Sequence, residues 1–278
     1  MRNIPDDNLA YPILINLNTG SSGSGFLLNT ETNVYLVTAK HVLFDNGNLR
    51  ATNATLICQT KDVDDDTTTI IEADLNIIQQ SAQLFQHANK DVAAFTIGTL
   101  TATPENDGYF LQYINGVSVS QRGNSDIVSV SSANSVKFIS EVLVSNDVYL
   151  YGYPSSLGLR QSPQFDYTKP LLRKGIVANL YKTFGTIILD CPVYYGNSGG
   201  PVVQVLNQGL QFRHHIIGVV SQFVPYSENW VNQSNGLVHT EISNSGYSVA
   251  IAMDYVFEML GLPVNNTVVV VAPTTSNP

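Results

Sequence analysis

Ser198 lies in the stretch YYGNSGGPVV, Tyr194 to Val203, where Gly196, Gly199 and Gly200 surround one small polar residue. A serine hydroxyl is a weak nucleophile that needs an adjacent base. The oxyanion it creates needs backbone N–H donors aimed at it. Glycine at 196 permits an unusual backbone path without a Cβ clash. Glycines at 199 and 200 would let a substrate chain come close. GNSGG therefore has the make-up of a nucleophile on an oxyanion-binding turn built from Gly196, Asn197 and Ser198. A glycine-rich β-turn entering a strand is the alternative for these residues alone.

A base must come from five histidines. His214 and His215 are adjacent in an expected strand, so they point to opposite faces and do not readily share a metal. His87 and His239 sit in polar surroundings and read as surface residues. His41 closes the apolar run VYLVTAKHV and is expected at a strand end, where a rigid element can position it. Asp91 directly precedes the apolar run of NKDVAAFTIG. A carboxylate there can hydrogen-bond a histidine and fix its tautomer; a turn or cap aspartate is the plainer alternative.

The elements that must carry these residues read as strands. Runs such as YPILINL, SGFLLN, NVYLVTA, ATLICQT, KFISEVLV, DVYLYGYP, GTIILDCPV, HIIGVVSQF and GYSVAIAM recur between turn signals, the pattern of an all-β barrel or sandwich. One helix is expected at MDYVFEMLG, where Met253, Val256, Phe257 and Leu260 share a face and Gly261 ends it. The segment from Thr101 to Ser135 reads as a connection between two halves. The TVVVV of the tail would add an edge strand.

Composition narrows the function. Of 278 residues only 13% are charged, about half the usual ~25%. A net charge of −9 makes nucleic acid a poor partner. Asp62, Asp64, Asp65 and Asp66 read as a solvated loop, without the ligand pattern of a calcium loop. GSSGSG lacks the ending of a phosphate loop, and no His/Cys pair has zinc spacing, so no cofactor or metal is expected. Cys58 and Cys191 read as buried free thiols. Neither a signal peptide nor a membrane-spanning run is evident, so a soluble, cytoplasmic chain without a membrane partner is expected.

Seven pieces follow one another in order: GSGFLL (Gly23–Leu28), VTAKHV (Val37–Val42), DVAAFTI (Asp91–Ile97), YGYPSSLG (Tyr151–Gly158), GIVANL (Gly175–Leu180), GNSGGPVV (Gly196–Val203) and GVVSQF (Gly218–Phe223). Together they resemble the chymotrypsin-like (trypsin-fold) serine peptidases, most closely the HtrA/Deg branch, over roughly residues 10–262. The resemblance implies one peptidase domain over 1–262. It would consist of two packed six-stranded antiparallel β-barrels, about 10–115 and 135–250, with a C-terminal helix at about 253–261 and a tail over 263–278. It implies acyl transfer to peptide or protein substrates. His41 would take the Ser198 proton, Asp91 would hold the imidazole, the N–H groups of Gly196 and Ser198 would bind the oxyanion, and Ser221 would support the carboxylate.

The same resemblance places Pro192, six residues before the nucleophile, at the base of the primary specificity pocket, with Ser221, Gln222 and Phe223 along its wall. Phe223 stands where deep pockets have glycine, so small aliphatic P1 residues are expected, and Arg or Lys is not. Asp190 is the one carboxylate that a shift of the loop could bring in. Asn197 replaces the aspartate of zymogen-forming relatives, so no N-terminal processing is expected. Lys40 replaces a small residue and is expected to point to solvent. No PDZ domain is expected after the helix. The rival reading is a latent or non-catalytic protease-fold binding module controlled by a partner.

Overall fold

Short alternating apolar segments, each closed by a polar turn, build strands almost throughout. The computed structural model describes residues 4–62, 64–102, 109–155, 162–208, 211–234 and 236–264. After a 3₁₀ turn at Asp6–Ala10, the first half contains β1 (Pro12–Leu17), β2 (Ser22–Asn29), β3 (Asn33–Thr38), α1 (Lys40–Leu43), β4 (Phe44–Asp45), β5 (Asn48–Leu49), β6 (Asn53–Gln59), β7 (Thr68–Asp74), α2 (Leu75–Gln80), β8 (Leu84–Gln86), β9 (Ala93–Ala102), β10 (Tyr109–Tyr113), β11 (Val117–Gln121) and β12 (Val130–Ser131). The second half contains β13 (Asp147–Gly152), β14 (Leu171–Tyr181), β15 (Thr186–Asp190), β16 (Pro201–Gln208), β17 (Gln211–Val231), β18 (Val238–Ala252) and α3 (Met253–Leu260).

The second half is a closed six-stranded barrel in the order β13-β14-β15-β18-β17-β16. The first half is larger than six strands. One ten-stranded sheet follows the path β10-β9-β3-β2-β1-β6-β7-β11, with β12 added to β2 and β8 to β9. The extra strands arise because the segment expected as a connection carries period-two runs of its own, YFLQY and VSVSQ, which pair with β9 and β7. The tail containing TVVVV lies outside the described residues.

The two halves meet in an apolar layer. Phe26, Val37 and Ala94 from the first sheet pack with Val219 and Ile251 from the barrel, and α3 closes the layer with Val256 and Phe257. α3 ends at Gly261, whose φ of 66° is the left-handed cap that glycine adopts without a Cβ penalty. Cys58 and Cys191 are both buried and free. Burial pushes their thiols up to about 12 and about 11, so both stay protonated at neutral pH. No described helix is long and apolar enough to cross a membrane.

Two elements escaped the sequence pattern. α2 begins within a run expected as strand, because the Asp74 side chain accepts the Ile77 N–H at 3.0 Å and caps a helix there. β17 and β18 continue past the barrel as a two-stranded arm, paired from Pro225↔Asn244 to Val231↔Val238. Its polar sequence, SENWVNQSNG, shows no alternation to announce strands. The arm leaves Tyr226, Trp230, Leu237 and Ile242 exposed.

Candidate active site

His41 sits in the one-turn helix α1 that follows β3, rather than at the strand end expected of it. The first turn of a helix leaves its N–H groups without intrahelical partners. Asp91 fills that gap: its Oδ1 accepts the His41 backbone N–H at 3.0 Å, and its Oδ2 accepts from His41 Nδ1 at 2.8 Å. The same Oδ2 accepts the Ser221 hydroxyl at 2.6 Å. Burial pushes the Asp91 carboxyl up, but the hydrogen bonds and charge of His41 and the bond from Ser221 outweigh it and hold the group below the usual carboxylate range. An ionised Asp91 fixes the His41 proton on Nδ1, so Nε2 is left as an acceptor.

The loop that delivers Asp91 is built on His87. This histidine is buried, not a surface residue as its polar neighbours suggested. Its Nδ1 accepts the N–H groups of Asn89 and Lys90 at 3.1 and 3.0 Å, and its ring meets Tyr255 edge-on at 5.3 Å. Lys40 does not point to solvent. Its ammonium reaches the carbonyls of His87 and Ala88 at 2.7 and 3.3 Å. Both residues thus tie α1 and the Asp91 loop into one unit.

Ser198 lies on a tight turn between β15 and β16. Gly196 has φ +93° and Gly199 φ +88°, a region that side chains disfavour. A Cβ at Gly199 would overlap Ser24 O and Thr38 Oγ1, and one at Gly200 would overlap Tyr151 O. The glycines therefore admit the protein's own atoms rather than the substrate chain expected of them. Asn197 works within the turn: its N–H donates to Tyr194 O and its Oδ1 accepts from Tyr194 N, each at 3.0 Å. Among the described residues the N–H groups of Gly196 and Ser198 have no acceptor. Ser155 N–H holds the Tyr195 carbonyl at 2.7 Å, so the N–H across that trans peptide, Gly196's, faces the other way.

Ser24, inside GSGFLL, has no chemical signal in the sequence beyond that motif. It is fully buried, donates its hydroxyl to Gly196 O at 2.6 Å and accepts Tyr153 N–H at 3.0 Å. Its backbone N–H donates to Ser198 O at 2.9 Å. The Ser198 turn is thereby fastened to the opposite half of the molecule. The Ser198 hydroxyl itself donates to Ser221 O at 3.0 Å.

His41, Asp91, Ser198, Ser221, Gln222 and Phe223 line one cleft. Pro192 does not; Tyr194 and Tyr195 line it in that region instead. Phe223 meets the exposed Tyr195 edge-on, with ring centroids 6.0 Å apart. Asp190, at the end of β15, is exposed and is not part of the cleft lining. His214 and His215 lie on β17 and are not part of the cleft lining, and burial lowers the pKa of His215.

A family model described as trypsin-like peptidase domain matches residues 23–209. Among solved structures, the chain is similar to an HtrA-type protease, AlgW, with a tripeptide, at 17% identity and a TM-score of 0.49, covering 91% of this chain and 59% of that one. A variant of AlgW with a tripeptide gives 16% identity and a TM-score of 0.49, with 94% and 63% covered. The chain thus spans about six tenths of the length of these proteins. No curated protein matches it.

Proposed function

The chain belongs to the trypsin-like peptidase family, and we propose that it is a serine endopeptidase that cleaves peptide bonds through an acyl-enzyme, with His41, Asp91 and Ser198 as its triad. The observation that carries this reading is the 2.8 Å bond from His41 Nδ1 to Asp91, which leaves Nε2 as an acceptor on a residue that lines the same cleft as Ser198. Rotation of the Ser198 hydroxyl from Ser221 O to His41 Nε2 starts the reaction. His41 takes the proton as Oγ attacks the scissile carbonyl, and Asp91 stabilises the imidazolium without being protonated. The unengaged N–H groups of Gly196 and Ser198 supply the oxyanion site. His41 then returns its proton to the leaving amine, and water repeats the sequence to release the acyl group.

Small aliphatic P1 residues fit this cleft. No carboxylate of its lining is free to pair with a basic P1 side chain, since Asp91 is committed to His41 and Ser221. The Phe223–Tyr195 edge contact narrows the mouth. A fluorophosphonate probe, which needs both an activated serine and an oxyanion site, should label Ser198 in the intact chain, and Ser198→Ala should abolish labelling and casein hydrolysis. Unchanged hydrolysis by Ser198→Ala would refute the assignment. An intact, folded chain that resists the probe would favour the latent binding module instead.

A further inference from the structure

Two cations flank His41 in the cleft, Arg50 and Lys90, in a chain whose net charge is −9. Each is held by a neutral partner. Arg50 Nη1 donates to His41 O at 2.8 Å. Lys90 Nζ donates to Phe184 O at 2.7 Å and lies 4.8 Å from the centre of the Tyr255 ring. Among the described residues neither forms an ion pair, and Asp45, on the same hairpin as Arg50, does not pair with it. The one acid in the cleft lining, Asp91, is consumed by His41 and Ser221. A lysine has three donors and an arginine five, so both cations retain N–H groups for a ligand.

Two cations without ion-pair partners, set against the single ionised Asp91, leave the cleft lining of this acidic protein with an excess of positive charge. Low-dielectric walls focus the resulting field on whatever enters. We propose that the cleft selects peptide segments carrying Asp or Glu within a few residues of the scissile bond, with Arg50 and Lys90 as the determinants. This substrate class rests on the reading of the cleft as a peptidase site, and it leaves the P1 residue itself small and uncharged. Exposed charge pairs are weak singly, so each cation should supply about a threefold preference, and the effect should fade with salt.

Ser198→Ala protein separates recognition from turnover. Dye-labelled decapeptides with a common Ala-Val centre, flanked by Glu, Gln or Lys, are titrated into it and followed by fluorescence anisotropy. The Glu peptide should bind about tenfold more tightly than the Gln peptide at low salt, with the Lys peptide weakest. The preference should shrink severalfold at about 0.5 M salt. Adding Lys90→Gln or Arg50→Gln should each remove about threefold of it. Equal binding of Glu and Gln peptides, or a Glu peptide that binds more tightly as salt rises, would overturn the proposal, the second because it would show net repulsion by the acidic chain. The salt series needs no substitution at either cation, so it decides the matter even where those variants fold poorly. Hydrolysis of the Gln peptide by the unsubstituted protein tests the peptidase reading by itself: cleavage without Glu preference sinks only the substrate class, and Glu preference without cleavage sinks only the peptidase.

Discussion

The Ser24 hydroxyl donates to the Gly196 carbonyl across 2.6 Å, from the first sheet to the Ser198 turn of the barrel. The two residues are 172 positions apart in sequence. Because the same oxygen accepts Tyr153 N–H, one buried atom fixes two backbone groups beside the proposed oxyanion site. Ser24→Ala leaves both groups buried and unpaired, at a cost of about 1–3 kcal/mol. The urea midpoint should fall accordingly. Turnover should fall with it while KM stays nearly constant, because the turn positions groups used only in the transition state. A lower midpoint with unchanged kcat would reduce Ser24 to a purely structural tie.

Asp91→Asn should lower kcat by about 10⁴-fold, the loss that follows when a triad aspartate no longer dictates the histidine tautomer. Ser221→Ala removes one of the hydrogen bonds to the same carboxylate and should cost far less, about tenfold, since the bonds from His41 remain. Comparing kcat for the two variants on one peptide checks the ranking. An Asn variant as active as the Ala variant would remove Asp91 from the triad.

Stability should register the same carboxylate. Its folded-state pKa is depressed, so the unfolded chain binds this proton more readily than the folded one. The stabilisation is therefore complete above the ordinary carboxylate value of ~3.9 and is lost as pH falls through the lower, folded value. The stability gap between the native protein and Asp91→Asn should narrow as pH falls from about 5 to below about 4. Urea midpoints across that range measure it; a gap that widens in acid has the wrong sign for this account.

The triad candidates were legible because each sits in a short local pattern: a polar residue beside an apolar run, or a serine among glycines. What was not legible depends on partners distant in the chain. Ser24 lies in a motif that was recognised, yet its role appears only when Gly196 arrives beside it. His87 has polar sequence neighbours, but its burial comes from Tyr255 on α3. The fate of Lys40 was set by carbonyls of the His87–Ala88 turn. Arg50 and Lys90 are unremarkable in sequence, and only the fold brings them to one cleft. α2 was missed although its signal is local: Asp74 ahead of LNII is an N-cap that an apolar strand-like run masks.

His87→Ala should loosen the loop that carries Asp91. It removes the acceptor of the Asn89 and Lys90 N–H groups and the ring that packs on Tyr255. We expect a loss of about 2–4 kcal/mol in stability from the cavity and the unpaired donors together. His87→Asn, which can restore an acceptor near the same place, should recover part of it. Thermal unfolding of the pair tests this, and equal losses in both variants would mean that packing alone matters at this site.

Phe223 sets the last expectation. Its ring stands edge-on to Tyr195 at the mouth of the cleft. A longer P1 side chain would have to displace one of the two rings. Phe223→Gly removes one of them and opens room on the wall beside Gln222, while leaving the His41–Asp91 and Ser221–Asp91 bonds untouched. Each added methylene that finds apolar contact is worth about 1–3 kcal/mol in kcat/KM. The native protein should therefore favour Ala or Val over Leu and Phe at P1, and Phe223→Gly should shift the order toward Leu and Phe by about tenfold or more. A P1-varied peptide series run on both proteins decides the point. A native preference for Leu or Phe, or an order that Phe223→Gly leaves unchanged, would show that this ring does not bound the pocket.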